Sequence, residues 1–160
     1  MLLRARVLTV SDGVAAGERE DLSGPALCAR LLEAGFEAES PVVVSDGADV
    51  VAAALRELAR DFAGLILTTG GTGFGPRDLT PEGTMRVIER NAPGLMEAIR
   101  RASDESGKNF GMLSRGVAGT IGSALIVNTP GSVTGSIEAL ETVLPAIAHA
   151  LDLLAGGSPH

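Results

Sequence analysis

Between Thr68 and Thr84 the chain reads Thr-Thr-Gly-Gly-Thr-Gly-Phe-Gly-Pro-Arg-Asp-Leu-Thr-Pro-Glu-Gly-Thr. Gly70, Gly71, Gly73 and Gly75 open backbone conformations closed to other residues, so several N–H groups can converge on one anion, a phosphate or a carboxylate. Arg77 supplies a cation, to neutralise an anionic ligand or to pair with a neighbouring acid, and Asp78 a carboxylate. Thr80, Pro81 and Glu82 form the start signal of a helix expected over 80–90, with Thr80 as its cap. The alternative is a glycine-rich connection that binds nothing, but such connections need only a few residues. Neither common nucleotide fingerprint fits: no Gly-Lys-Ser/Thr follows, and Pro76 stands where a dinucleotide loop begun at Gly71 would need glycine.

The elements around this loop alternate. Leu3–Val10 predicts a first strand, and Ser23 with Pro25 opens a helix that stops at Gly35. A second strand is expected over Phe36–Val44 and a helix over Ala48–Phe62. The buried third strand, Ala63–Leu67, leads into the glycine loop. Asn91-Ala92-Pro93-Gly94 separates the helix at 80–90 from another over 93–106. Residues 117–120 and 123–127 read as strands joined at Ile121-Gly122, an antiparallel hairpin at one edge, and a last helix runs from Ser132–Ser136 to Ala155. The pattern predicts an α/β fold: a single-domain, three-layer, doubly wound, mostly parallel sheet over residues 1–155, with a flexible tail at 156–160.

In such a sheet the strand ends line one crevice. Ser11-Asp12, Ser45-Asp46 and Asn128-Thr129-Pro130-Gly131 each follow a strand, so Asp12, Asp46 and Asp78 are expected near one another and near the glycine loop. Carboxylates beside a phosphate call for an intervening cation, and Mg²⁺ held by one or two carboxylates plus phosphate oxygens makes Asp46 and Asp78 candidate ligands. The alternative for each Asp is a turn former or helix cap, a role that suits Asp12 best and Asp78 least.

Composition narrows the classes. A formal charge of −7 and the lack of a basic cluster or aromatic platform argue against nucleic-acid binding. No apolar run approaches the roughly twenty residues a membrane span needs, and no leader is read at Met1–Arg4, so a cytoplasmic protein is expected. The one cysteine, Cys28, sits in an apolar helical stripe and reads as a buried thiol. His149 and His160 fall away from the expected crevice.

Together these residues resemble the molybdopterin-binding family of the MoaB/Mog type: the Thr68–Glu82 run, Ser11-Asp12 early, Asp21-x-Ser23-Gly24 before the first helix, Met112-Leu113-Ser114-Arg115 later, and Asn128-x-Pro130-Gly131 near the end. The likeness spans nearly the whole chain in order, and its central motif is the specific part. It implies a homotrimer that uses Mg-ATP to adenylylate molybdopterin and release pyrophosphate, ahead of a molybdenum insertase. Asp46 and Asp78 then correspond to the acidic residues of adenylyl transfer and metal binding, and Gly70, Gly71, Thr72 and Gly73 to the phosphate loop. Ser11 and Asp12 belong to the same binding set, Ser114 and Ser123 to the pterin side, and Asn128, Pro130 and Gly131 to the closing loop. Ser45 stands where the family commonly has Pro, and Ile121 leaves one phosphate contact without a base. The scarcity of aromatics makes Phe74 the candidate for pterin stacking. The rival readings are a relative that binds the pterin without transferring to it and a scaffold subunit of the same pathway.

Overall fold

A computed structural model describes residues 1–158; Pro159 and His160, in the expected tail, lie outside the described residues. The strands are β1 (Arg4–Val10), β2 (Glu37–Ala38), β3 (Val42–Val44), β4 (Gly64–Thr69), β5 (Arg90–Asn91), β6 (Ala118–Ile121) and β7 (Ala124–Thr129). The helices are α1 (Asp12–Ala15), α2 (Ser23–Glu33), α3 (Ala48–Ala59), α4 (Thr80–Met85), α5 (Pro93–Ser103) and α6 (Val133–Leu154). One sheet runs in the order β2-β1-β4-β7-β6-β5, with β3 also on β1. β1 to β4 and β7 are parallel, whereas β6 runs against β7 and β5 against β6, as the expected edge hairpin requires.

Side-chain alternation along the strands separates two cores. Val7, Leu65, Leu67 and Val127 face α2, α5 and α6, while Leu8, Val10, Ile66 and Ile126 face α3 and Val87. β4 is buried along its whole length because helices cover both faces, which is why it reads as a continuous apolar run. The result is the three-layer α/β fold expected from the sequence.

Several boundaries differ from expectation for local reasons. The second strand is broken: Ala38 pairs with Ala5 and Val42 with Leu8, so four steps on this edge span three on β1, a bulge where Pro41 has no N–H to offer. The helix expected to Arg90 ends at Met85, and Arg90 and Asn91 pair instead with Thr120 and Gly119. Thr80 does not cap α4; its hydroxyl donates to the Gly70 carbonyl at 2.9 Å, tying the helix start to the loop. The start of α2 is capped by Asp21, whose Oδ1 accepts the Gly24 N–H at 3.0 Å. Helix α5 ends at Ser103, and the chain leaves it through a wide turn over Asp104–Lys108 with Gly107 at φ +87°. Gly156 and Gly157 fold back on the end of α6, donating to the Leu153 and Asp152 carbonyls, so the expected tail does not begin at Gly156. Among the described residues no helix is long and apolar enough to cross a membrane.

Candidate active site

The parallel strands β1, β4 and β7 end level with one another: Thr9 is opposite Thr69, and Thr69 opposite Thr129. Beyond this row the chain opens a cleft of about 690 Å³ whose lining includes Ser11, Asp46, Gly70, Gly71, Asp78 and Gly131. Four strand-end segments therefore converge, as the βα pattern required.

Gly70 and Gly71 make the turn out of β4 at φ +100° and +69°. A Cβ on Gly70 would stand 2.2 Å from the Val10 carbonyl oxygen, and one on Gly71 2.3 Å from the Thr80 hydroxyl, so neither position has room for a side chain. The expected cradle of amides is smaller than four glycines imply. The Gly70 N–H donates to the Thr129 carbonyl and the Gly75 N–H to Asp78 Oδ2 at 2.9 Å. The N–H groups of Gly71, Thr72 and Gly73 have no acceptor among the described residues and are the ones free for an anion.

Asp12 and Asp46 form a closed pair. The Asp12 N–H donates to Asp46 Oδ2 at 2.8 Å, and the Asp46 N–H to Asp12 Oδ1 at 3.1 Å. Arg77 completes the arrangement by donating to both Asp12 oxygens at 2.9 Å and to the Asp46 carbonyl at 3.0 Å. Both carboxylate oxygens of Asp12 are thus engaged, and the Arg77 guanidinium holds its carboxyl below the usual range. The two roles left open for Arg77 resolve here in favour of pairing with an acid. Burial pushes the Asp46 carboxyl up, and the charges of Asp12 and Asp78 push it further in the same direction.

Ser11 serves the same loops: its hydroxyl accepts from the Val14 N–H, capping α1, and from Arg19 at 3.0 Å. A second cleft of about 290 Å³ lies on the other side of the glycine loop; Thr72, Gly73, Phe110, Leu113, Ser114 and Pro130 line it. Arg100, itself part of the lining, holds this wall by donating to the Ser114 and Gly116 carbonyls at 2.9 and 2.6 Å. Ser132, which caps α6, borders both clefts. Phe74 is 72% exposed at the tip of the loop.

Two expected site residues stand apart. Ser123 lies in the β6–β7 turn, where its carbonyl accepts from Gly64 at the start of β4. That is the opposite end of the sheet from both clefts, so Ser123 does not join the others. Asn128 is fully buried: its side chain donates to Thr68 and Thr84 at 2.9 and 3.0 Å and accepts the Val117 N–H at 3.0 Å. Both amide hydrogens are spent within the fold, and the side chain braces the site from beneath. Cys28 is buried against the Glu39 carbonyl, and burial pushes its thiol up. Conversely, Arg19 and Ser132 were not singled out as site residues. Ser132 carries the signal of placement just after β7, at the cap of α6, whereas Arg19 follows α1, well past the end of β1, and carries none.

The first cleft also carries Glu20 and Asp21, with Arg19 as the one basic residue among its lining. A polyphosphate entering so acidic a cleft needs a cation with it. Asp46 Oδ1 and Asp78 Oδ1 carry no hydrogen bond from the described residues. No group of three or more metal-ligating side chains gathers among the described residues. A two-carboxylate donor set suits Mg²⁺, which keeps water and phosphate oxygens in its shell, better than a metal that needs a protein cage.

The site is thus a mostly parallel α/β sheet with two clefts at the carboxyl ends of its parallel strands, parted by a glycine loop. Residues 6–149 match the family described as "Probable molybdopterin binding domain", and the chain belongs to that family. It is 37% identical to the molybdopterin adenylyltransferase of Helicobacter pylori strain J99 over 94% of this chain and 86% of that one. A molybdenum cofactor biosynthesis bifunctional protein of Chlorobaculum tepidum is 36% identical over 96% of this chain, which spans 49% of that longer protein. The crystal structure of the molybdopterin biosynthesis enzyme MoaB of Thermus thermophilus superimposes with a TM-score of 0.88 at 41% identity, covering 99% of this chain and 100% of that one.

Proposed function

We propose that this protein acts in molybdenum cofactor biosynthesis as a molybdopterin adenylyltransferase, joining the terminal phosphate of molybdopterin to the adenylyl group of ATP. The observation that carries this reading is the joint placement of Asp46, Asp78 and the free loop amides of Gly71–Gly73 around one wall, with a cleft on each side of it. ATP is assigned to the larger, acidic cleft. The pterin is assigned to the smaller one, where Phe110 and Leu113 offer apolar surface and Ser114 a hydroxyl.

An oxygen of the pterin phosphate attacks the α-phosphorus of ATP; the new P–O bond forms as the bond to the β-phosphate oxygen breaks, and pyrophosphate leaves. No side-chain nucleophile is needed, so catalysis rests on alignment and on offsetting charge. The loop amides hold the phosphates at the boundary between the clefts. Asp46 and Asp78 would hold Mg²⁺, which when bound supplies the positive charge this cleft lacks. Asp12 and Arg77 keep the Asp46 turn in place.

The same reading places the protein in the cytoplasm, as a homotrimer that passes adenylylated pterin to a molybdenum insertase. The deciding experiment is incubation with molybdopterin and Mg-ATP followed by mass spectrometry. Adenylylated pterin that disappears without metal and in Asp78→Asn is the expected result. Pterin retained without any adenylylated product would make the protein a binding relative instead.

A further inference from the structure

Arg115 reaches the glycine loop from outside it, and every contact it makes there lies within residues 72–82. Its N–H donates to the Thr72 carbonyl at 3.0 Å, Nε to the Gly73 carbonyl at 2.8 Å and Nη2 to the Asp78 carbonyl at 2.6 Å. Nη1 pairs with Glu82 Oε1, and the guanidinium lies 5.9 Å from the centre of the Phe74 ring.

These acceptors enclose one turn. Gly73 and Asp78 stand at its two ends, and inside it the Asp78 N–H donates to the Gly75 carbonyl at 3.0 Å while Asp78 Oδ2 accepts the Gly75 N–H at 2.9 Å. The guanidinium thus spans the mouth of the turn that presents Asp78 to the first cleft. Only a rigid, planar fork of donors satisfies three divergent acceptors at once; the point charge of a lysine does not.

Glu82 is the seat of this clamp. Its Oε2 is buried without a hydrogen-bond partner, so the carboxylate relies on Arg115 through Oε1, and the guanidinium holds the Glu82 carboxyl below its usual range. Arg115 is itself anchored, because Arg100 grips the carbonyls of Ser114 and Gly116 on either side of it. The side chain of Arg115 is 30% exposed, half-sheltered between loop and helix α4.

We infer that Arg115, seated on Glu82, is a positioning residue that sets the geometry of Asp78 by closing the 73–78 turn. Its catalytic consequence rests on the adenylyl-transfer reading above; the clamp itself does not. Misplacement of a positioned group by about 1 Å costs on the order of a hundredfold in rate. Arg115→Ala is therefore expected to lower kcat by about that factor while KM for ATP changes little.

The test uses the full chain and two readouts. Hydrogen exchange followed by mass spectrometry is expected to show faster exchange over residues 73–79 in Arg115→Ala, with β4 and β7 unchanged. Steady-state adenylyl transfer is expected to fall in Arg115→Ala, less in Arg115→Lys, and to recover in part when guanidinium ion is added to Arg115→Ala but not to Asp78→Asn. Unchanged exchange over 73–79, or acceleration spread evenly over the whole chain, would overturn the inference. If Arg115→Ala does not fold, Arg115→Lys decides by the same exchange criterion. Faster loop exchange in a protein whose wild type makes no adenylylated pterin would leave the clamp standing and remove the adenylyl-transfer reading.

Discussion

Asp46 and Asp12 show how two neighbouring carboxylates take different parts. Asp12 has both oxygens bonded to Arg77 or backbone, and its lowered carboxyl pKa means that the stability it contributes is present above the ordinary aspartate pKa and lost as pH falls through the folded value. Asp46 has the opposite sign. Burial raises its pKa in the folded state, so its ionisation costs stability as pH rises from the unfolded value through the folded one. Asp46→Asn, which keeps an oxygen to accept the Asp12 N–H, is expected to abolish adenylyl transfer yet raise Tm at pH 8, the gain fading by about pH 4. Calorimetry at the two pH values checks this. For the same reason the acid limb of the kcat/KM profile, which reports the free enzyme, should lie above the ordinary aspartate range, since the reaction needs the ionised carboxylate. A profile flat through that region would remove Asp46 from the reaction.

At the level of elements, the site depends on how β4, β7 and α4 are locked together. Asn128 on β7 joins Thr68 on β4 and Thr84 on α4, all buried, and the half-buried Val117 N–H before β6. Asn128→Ala strands these groups, and with roughly 1–3 kcal/mol for each unsatisfied buried partner a loss of about 3 kcal/mol is expected in urea unfolding. The turn out of β4 is equally constrained. Gly70→Ala meets the Val10 carbonyl and a φ of +100°, so it is expected to destabilise the fold by about 2 kcal/mol or more and to displace the amides of Gly71–Gly73. Unaltered stability and phosphate binding in that variant would show the turn to be more pliant than its packing implies.

For the molecule as a whole, exposed apolar surface concentrates where the second cleft opens. Phe110, Met112 and Leu113 are 67%, 68% and 48% exposed within four positions. Surface of this kind serves a ligand or a partner, and Met112, outside the cleft lining, is the residue of the three that assembly would cover. A sedimentation mass three times that of the chain is expected, and a monomer at micromolar concentration would rule the trimer out. The formal charge of −7 repels a nucleotide, so ATP binding is expected to require divalent metal and to be lost with a chelator.

Sequence alone was enough for what depends on local chemistry. The hydrophobic periods marked the strands and helices, the glycine run and the Thr68–Glu82 motif marked the loop, and the βα alternation put Asp12, Asp46 and Asp78 at one sheet edge. Element ends moved by a residue or a few where tertiary pairing overrode local propensity, as when Arg90 left a helix pattern to pair, with Asn91, against β6. The partners of polar side chains were settled only in three dimensions. Ser123 and Asn128 carry the right functional groups, but one lies at the far end of the sheet and the other spends both amide hydrogens on buried hydroxyls of the fold. Arg115 lies 37 residues from Asp78 in the chain and within hydrogen-bond reach of it in space. No spacing rule encodes such a contact, because it arises from the packing of separate segments around a common sheet.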